Sequence, residues 1–106
     1  MDFNYYKDFV AQTAVFPEDQ RVIYPIIGLA NEAGEVLGKI KKVLRGDKTL
    51  DQAKDAIIDE LGDVLWYLQA SATDLNVSLD EIMTRNVAKL HQRRLDGTIQ
   101  GDGDNR

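Results

Sequence analysis

The sequence predicts an all-α fold of four helices, and three observations carry that prediction. Only two prolines occur, Pro17 and Pro25, both before residue 26. Apolar residues then recur at helical spacing along three long stretches, and clusters of turn-forming residues fall between those stretches rather than inside them.

The first helix is expected from about Asn4 to Val15, stopped by Phe16-Pro17 because a proline disfavours helical geometry in the residue before it. The second should open near Pro25, since a first-turn proline needs no N–H partner, and run to about Arg45 before Gly46-Asp47. The third should cover about Leu50 to Leu75, capped by Thr49 or Asp47 and stopped at Asn76. Ser78-Leu79-Asp80-Glu81 matches a capping box and opens a fourth helix to about Leu95. These helices make one domain over residues 1–95. Residues 96–106 form a glycine-rich tail with few apolar side chains, expected to be flexible.

Helical spacing groups Leu29, Ala30, Ala33, Leu37, Ile40 and Leu44 into one apolar stripe on the second helix. On the third, the stripe is Leu50, Ala53, Ile57, Leu61, Val64, Leu68 and Leu75. On the fourth it is Leu79, Ile82, Met83, Val87 and Leu90, with Asn86 inside the arc and Lys89 and Arg93 at its edge. A chain of 106 residues buries limited surface alone, so association through helix faces is expected to help it.

Thirteen Lys and Arg stand against 18 Asp and Glu, a formal charge of -5, which argues against nucleic-acid or acidic-membrane binding through a positive field. Residues 1–50 hold seven acids and seven bases, and residues 76–106 hold five of each; residues 51–75 hold six acids against Lys54 alone. The whole imbalance sits in the third helix. Cysteine is absent, which excludes disulfides, thiolate metal sites and cysteine nucleophiles and fits a cytoplasmic address. No apolar run is long enough for a membrane span, and Met1-Asp2-Phe3-Asn4 lacks the features of a signal peptide, so a soluble, unprocessed product is expected.

Glu32 and Glu35 share one helix face, and Glu60 and Asp63 repeat that spacing on the third helix. If the two helices pack antiparallel, four carboxylates converge, at a cost that cations between them would relieve. All-oxygen ligation suits Mg²⁺, with Mn²⁺ as a substitute. The alternative is that these acids are simply solvated. A di-iron bundle needs Glu-x-x-His pairs, but position 88 is alanine and His91 is the single histidine, which leaves His91 a surface or packing residue.

Gly28-Leu29-Ala30-Asn31-Glu32-Ala33-Gly34-Glu35, followed after 24 residues by Glu60-Leu61-Gly62-Asp63, resembles the MazG family of all-α nucleoside triphosphate pyrophosphohydrolases. The later Asn86-Val87-Ala88-Lys89-Leu90 with Arg93-Arg94 fits the same family. The resemblance implies a four-helix MazG-like bundle that forms a homodimer or homotetramer. It also implies Mg²⁺-dependent hydrolysis of (deoxy)nucleoside triphosphates to monophosphate and pyrophosphate, in a nucleotide-pool cleansing role. Carried over by position, Glu32, Glu35, Glu60 and Asp63 are the metal ligands. The family's first glutamate is Asn31 here. Asn31 can coordinate or hydrogen-bond but cannot take a proton, so the catalytic base falls to Glu35 or Glu32. Asn86, Lys89 and Arg93 become candidate phosphate contacts, against the alternatives of an inter-helix hydrogen bond and solvated flanks. Trp66 and Tyr67 are candidates to stack on a base or to pack against another subunit, and Phe16 and Tyr24 are further base-pocket candidates. Two alternatives remain: a phosphoribosyl-ATP pyrophosphatase-like enzyme, and a non-catalytic antitoxin-like or scaffold module.

Overall fold

The structure, a computed structural model, describes residues 1–104. Four α-helices run in chain order, α1 (Phe3–Thr13), α2 (Ile23–Leu44), α3 (Leu50–Asp74) and α4 (Leu79–Asp96), with a single 3₁₀ turn at Glu18–Gln20. The described residues contain no strand. They divide into two compact units, residues 1–76 with α1 to α3, and the described residues from 77 onward with α4 and the tail.

Each helix boundary has a local cause. Asp2 caps α1 by accepting from the Tyr5 N–H at 2.9 Å, so the helix opens one residue earlier than its periodicity implied. It closes at Thr13, whose hydroxyl donates back to the Phe9 carbonyl at 3.1 Å, and Ala14 is extended. Pro25 is buried in the first turn of α2, but the helix opens two residues before it. Val22, at φ 69° and ψ -57°, turns the chain there, with the Ile23 N–H donating to the Arg21 carbonyl at 2.8 Å, the geometry of a strained γ-turn. Asp74 from the end of α3 holds that turn. Its carboxylate, only 4% exposed, accepts from the Val22 N–H at 2.9 Å and from Arg21 at 3.4 Å.

Thr49, not Asp47, caps α3, and the box is complete: Gln52 N–H donates to Thr49 at 3.1 Å and Thr49 N–H donates to the Gln52 side chain at 3.0 Å. Asp47 pairs with Arg45 instead. The box expected at Ser78 forms only by half. Ser78 accepts from the Glu81 N–H at 3.0 Å, but the Glu81 carboxylate is taken by Arg85 at 2.7 Å.

The first unit is built on the α2–α3 pair. Lys39 meets Glu60, Glu32 meets Glu60 and Asp63, Gly28 abuts Tyr67, and Val22 meets Asp74. Residue numbers rise along α2 as they fall along α3, so the pair is antiparallel. Gly28 permits this closeness, because a Cβ there would overlap the Tyr67 ring.

The helices are rotated from the expected stripes. Leu29, Glu32, Val36, Ile40 and Val43 are among the withdrawn positions of α2, while Ala30, Ala33, Leu37 and Leu44 are exposed. On α3, Ala53, Ile57, Glu60, Val64 and Leu68 are withdrawn, and Leu50, Leu61 and Leu75 are exposed. The physical reason is that both helices carry apolar residues on two sides, and periodicity alone merges the two faces into one arc. In the second unit Leu79 is buried and Ile82 half-buried. Met83, Asn86, Val87 and Leu90 are exposed, so the expected buried stripe of α4 is covered only at its start.

Candidate active site

The rotation of α2 and α3 carries Glu32 and Glu60 into the seam between the helices, rather than to its side. With Asp63 one turn further on, three carboxylates offer oxygens that all lie within 4.8 Å of one another. Glu32 and Glu60 are half-buried and Asp63 is exposed, so the group opens from the seam toward solvent. Glu35, one turn beyond Glu32, is exposed and stands outside this three-carboxylate group, though its charge still acts on Glu32.

The electrostatics of the group are those of crowded acids. Burial pushes the Glu32 carboxyl above the usual carboxylate range, and a hydrogen bond with Glu60 and the charges of Asp63, Glu60 and Glu35 push it the same way. The Lys39 ammonium lies 3.9 Å from Glu60 and offsets part of the negative charge from within the same seam. Carboxylate oxygens crowded at this spacing repel one another, and a hard divalent cation such as Mg²⁺ fits the set because it would relieve that repulsion.

Aromatic rings border the carboxylates. Thr13, Trp66 and Tyr67 line an open cavity of about 380 Å³ together with Glu32 and Asp63. A second hollow of about 310 Å³ is lined by the same three residues with Val15, Phe16, Pro17 and Tyr24. Trp66 is fixed by its indole N–H, which donates to the Thr13 hydroxyl at 2.9 Å, and it meets Tyr67 edge-on at 4.9 Å. Phe16 stacks on Tyr24 at 4.9 Å, with the Arg21 guanidinium 4.8 Å over the Phe16 ring. Burial raises the Tyr67 hydroxyl, and Tyr24, Glu32 and Asp63 add to the effect; burial and Asp63 do the same to Tyr6.

The structure thus brings together Glu32, Glu60, Asp63 and Trp66, with Phe16, Tyr24 and Tyr67 alongside. Asn31 is exposed on α2 and belongs to neither cavity. In the second unit Asn86 and Lys89 are exposed and Arg93 is buried. Thr13, Tyr6 and Lys39 are neighbours of the site that the sequence reading passed over. Lys39 carried a signal, since it lies seven residues after Glu32, two helical turns along the same face. Thr13 and Tyr6 come from α1, and nothing in the spacing of α2 and α3 points to them.

Comparison with known proteins adds two findings. Residues 25–97 match the MazG nucleotide pyrophosphohydrolase domain. The Gene 37 protein of Mycobacterium phage L5 is 39% identical over 114 aligned residues, covering 100% of each chain. No solved structure matches.

Proposed function

The chain belongs to the MazG nucleotide pyrophosphohydrolase family, and from that premise we propose that it hydrolyses (deoxy)nucleoside triphosphates to the monophosphate and pyrophosphate with Mg²⁺. The observation that carries this reading is the convergence of Glu32, Glu60 and Asp63 in one seam beside an aromatic cavity. Glu32, Glu60 and Asp63, with Glu35 at the rim, would hold the cation, which supplies charge neutralisation for the triphosphate and for the pyrophosphate that leaves.

The rest falls to side chains. Glu35, exposed and outside the three-carboxylate group, accepts the proton of the attacking water; Glu32 is the second candidate for that role. One oxygen–phosphorus bond forms from water and the bridging bond between the α- and β-phosphates breaks, so monophosphate and pyrophosphate are the only products. Asn31 serves as a hydrogen-bonding group and not as a base. Trp66, held by Thr13, offers its ring to the base, with Tyr67, Phe16 and Tyr24 completing the apolar surround. Asn86, Lys89 and Arg93 are the proposed phosphate contacts. The cellular role is removal of unwanted nucleotides from the pool in the cytoplasm, and the working form is a homodimer or homotetramer.

The test is pyrophosphate release over the common ribo- and deoxyribonucleoside triphosphates, and over phosphoribosyl-ATP, with and without Mg²⁺. Glu35→Ala and Asp63→Ala should each lower Mg²⁺-dependent release by at least about 10²-fold while the circular dichroism of the helices is retained. Turnover preserved in both variants would overturn the reading. A non-catalytic module would show neither release nor a thermal shift with Mg²⁺ and a non-hydrolysable nucleotide.

A further inference from the structure

The chain beyond α4 turns back on the helix it leaves. Gly97 adopts the left-handed conformation at φ 70°, and Thr98 N–H closes the helix end on the Arg93 carbonyl at 2.8 Å. Seven residues after Gly97, the Asp104 carboxylate reaches Lys89 Nζ at 3.1 Å and the Arg93 guanidinium at 3.3 Å. Arg93 also donates to the Asp104 backbone carbonyl at 2.6 Å and to that of Gly103 at 3.5 Å.

The contact is lopsided. The Arg93 side chain is only 6% exposed beneath it, while the Asp104 carboxylate on top is 81% exposed. All the bonds from the Arg93 guanidinium to the described tail residues come from one terminal nitrogen, and the buried Nε–H has no partner among the described residues. A guanidinium presents Nε and a terminal nitrogen as a fork to a planar or tetrahedral oxyanion. Asp104 fills one tine. A phosphoryl group, with three oxygens, can fill both and still reach the Lys89 ammonium. Lys89 and then Arg93 hold the Asp104 carboxyl below the usual carboxylate range, so it stays an anion at neutral pH and competes as one. Asp104 itself is open to solvent, and its pair with Lys89, 40% exposed, is a weak surface pair, which makes the tail exchangeable.

We propose that Asp104 is an internal competitor for an anion site formed by Lys89 and Arg93, and that a phosphoryl group of the nucleotide displaces it and releases the tail. The flexible tail expected from the sequence is then the displaced state, and the docked tail is the free protein's resting state. The proposal rests on the reading of Lys89 and Arg93 as phosphate contacts, and concerns how access to them is regulated.

The test uses the full chain in EDTA, titrated with inorganic tripolyphosphate, with calorimetry for affinity and backbone amide resonances for the tail. In the wild-type protein, saturation should move the Gly101 and Gly103 resonances to sharp, random-coil positions. Asp104→Asn should bind tripolyphosphate about three- to tenfold more tightly, because less of the site is occupied by the tail. Lys89→Met should abolish binding in either background. Equal or weaker binding by Asp104→Asn, tail resonances that stay put at saturation, or binding that survives in Lys89→Met would each overturn the proposal. Mg²⁺-dependent pyrophosphate release measured in parallel separates the two readings. Displacement without hydrolysis sinks the hydrolase and leaves the competitor; hydrolysis without displacement does the reverse.

Discussion

Glu32 shows at the scale of one residue how a site costs stability before it does chemistry. Burial and three neighbouring acids raise its carboxyl in the folded chain, so the ionised form is disfavoured there relative to the unfolded chain. The sign follows: the cost is fully present above the raised folded value and vanishes below the ordinary glutamate value of about 4.3. In EDTA, Glu32→Gln is therefore expected to melt higher than wild type at pH 8, with the gap closing as the pH falls toward 4. Added Mg²⁺ should stabilise wild type and do less for the variant. Thermal melts across that range check it, and a wild type that melts higher than the variant at pH 8 in EDTA contradicts it. The sequence alone showed the residue but not its burial. Glu32 and Glu35 look equivalent by spacing, and only the rotation of α2 makes one withdrawn and the other exposed.

At the scale of elements, one buried carboxylate ties the start of α2 to the end of α3. Asp74 satisfies the N–H of a strained Val22 and pairs with Arg21 from an almost fully buried position. Asp74→Ala should leave that N–H without its acceptor and lower stability by about 2–4 kcal/mol in urea unfolding. A loss below about 0.5 kcal/mol would show the turn to be held elsewhere. The helices themselves were largely legible in the sequence, since caps, prolines and glycines are local signals: the observed starts and stops of all four fall within two residues of expectation. What was not legible is long-range. The Val22 turn exists because Asp74, 52 positions away, stabilises it, and the 3₁₀ turn at Glu18–Gln20 leaves no periodic trace. The half-formed cap at Ser78 reflects competition, because Arg85 draws Glu81 away from the helix end.

The whole molecule carries more apolar surface outside than its helix pairing uses. Leu37 and Leu44 on α2 are 69% and 82% exposed, and Ile58, Leu61 and Leu65 line the outer side of α3. Such faces on a small chain are candidates to be covered by another copy. Leu37→Asp and Leu61→Asp should each shift the protein toward monomer in sedimentation velocity and lower its melting temperature at equal concentration. An unchanged mass for both would remove these faces from the interface. The same double-sided character that misplaced the apolar stripes is thus what the association reading predicts. The antiparallel pair has a further consequence. Gly28 against Tyr67, the carboxylate group in mid-seam and Val22 against Asp74 fix the two helices at three separate heights, like a key cut in three notches. A slip of one turn in either direction would misalign all three together. Beyond the cap that Thr49 gives α3, the alignment is carried by the seam and not by the connecting residues 45–48, so a change of length there should leave the chemistry far along the seam in place.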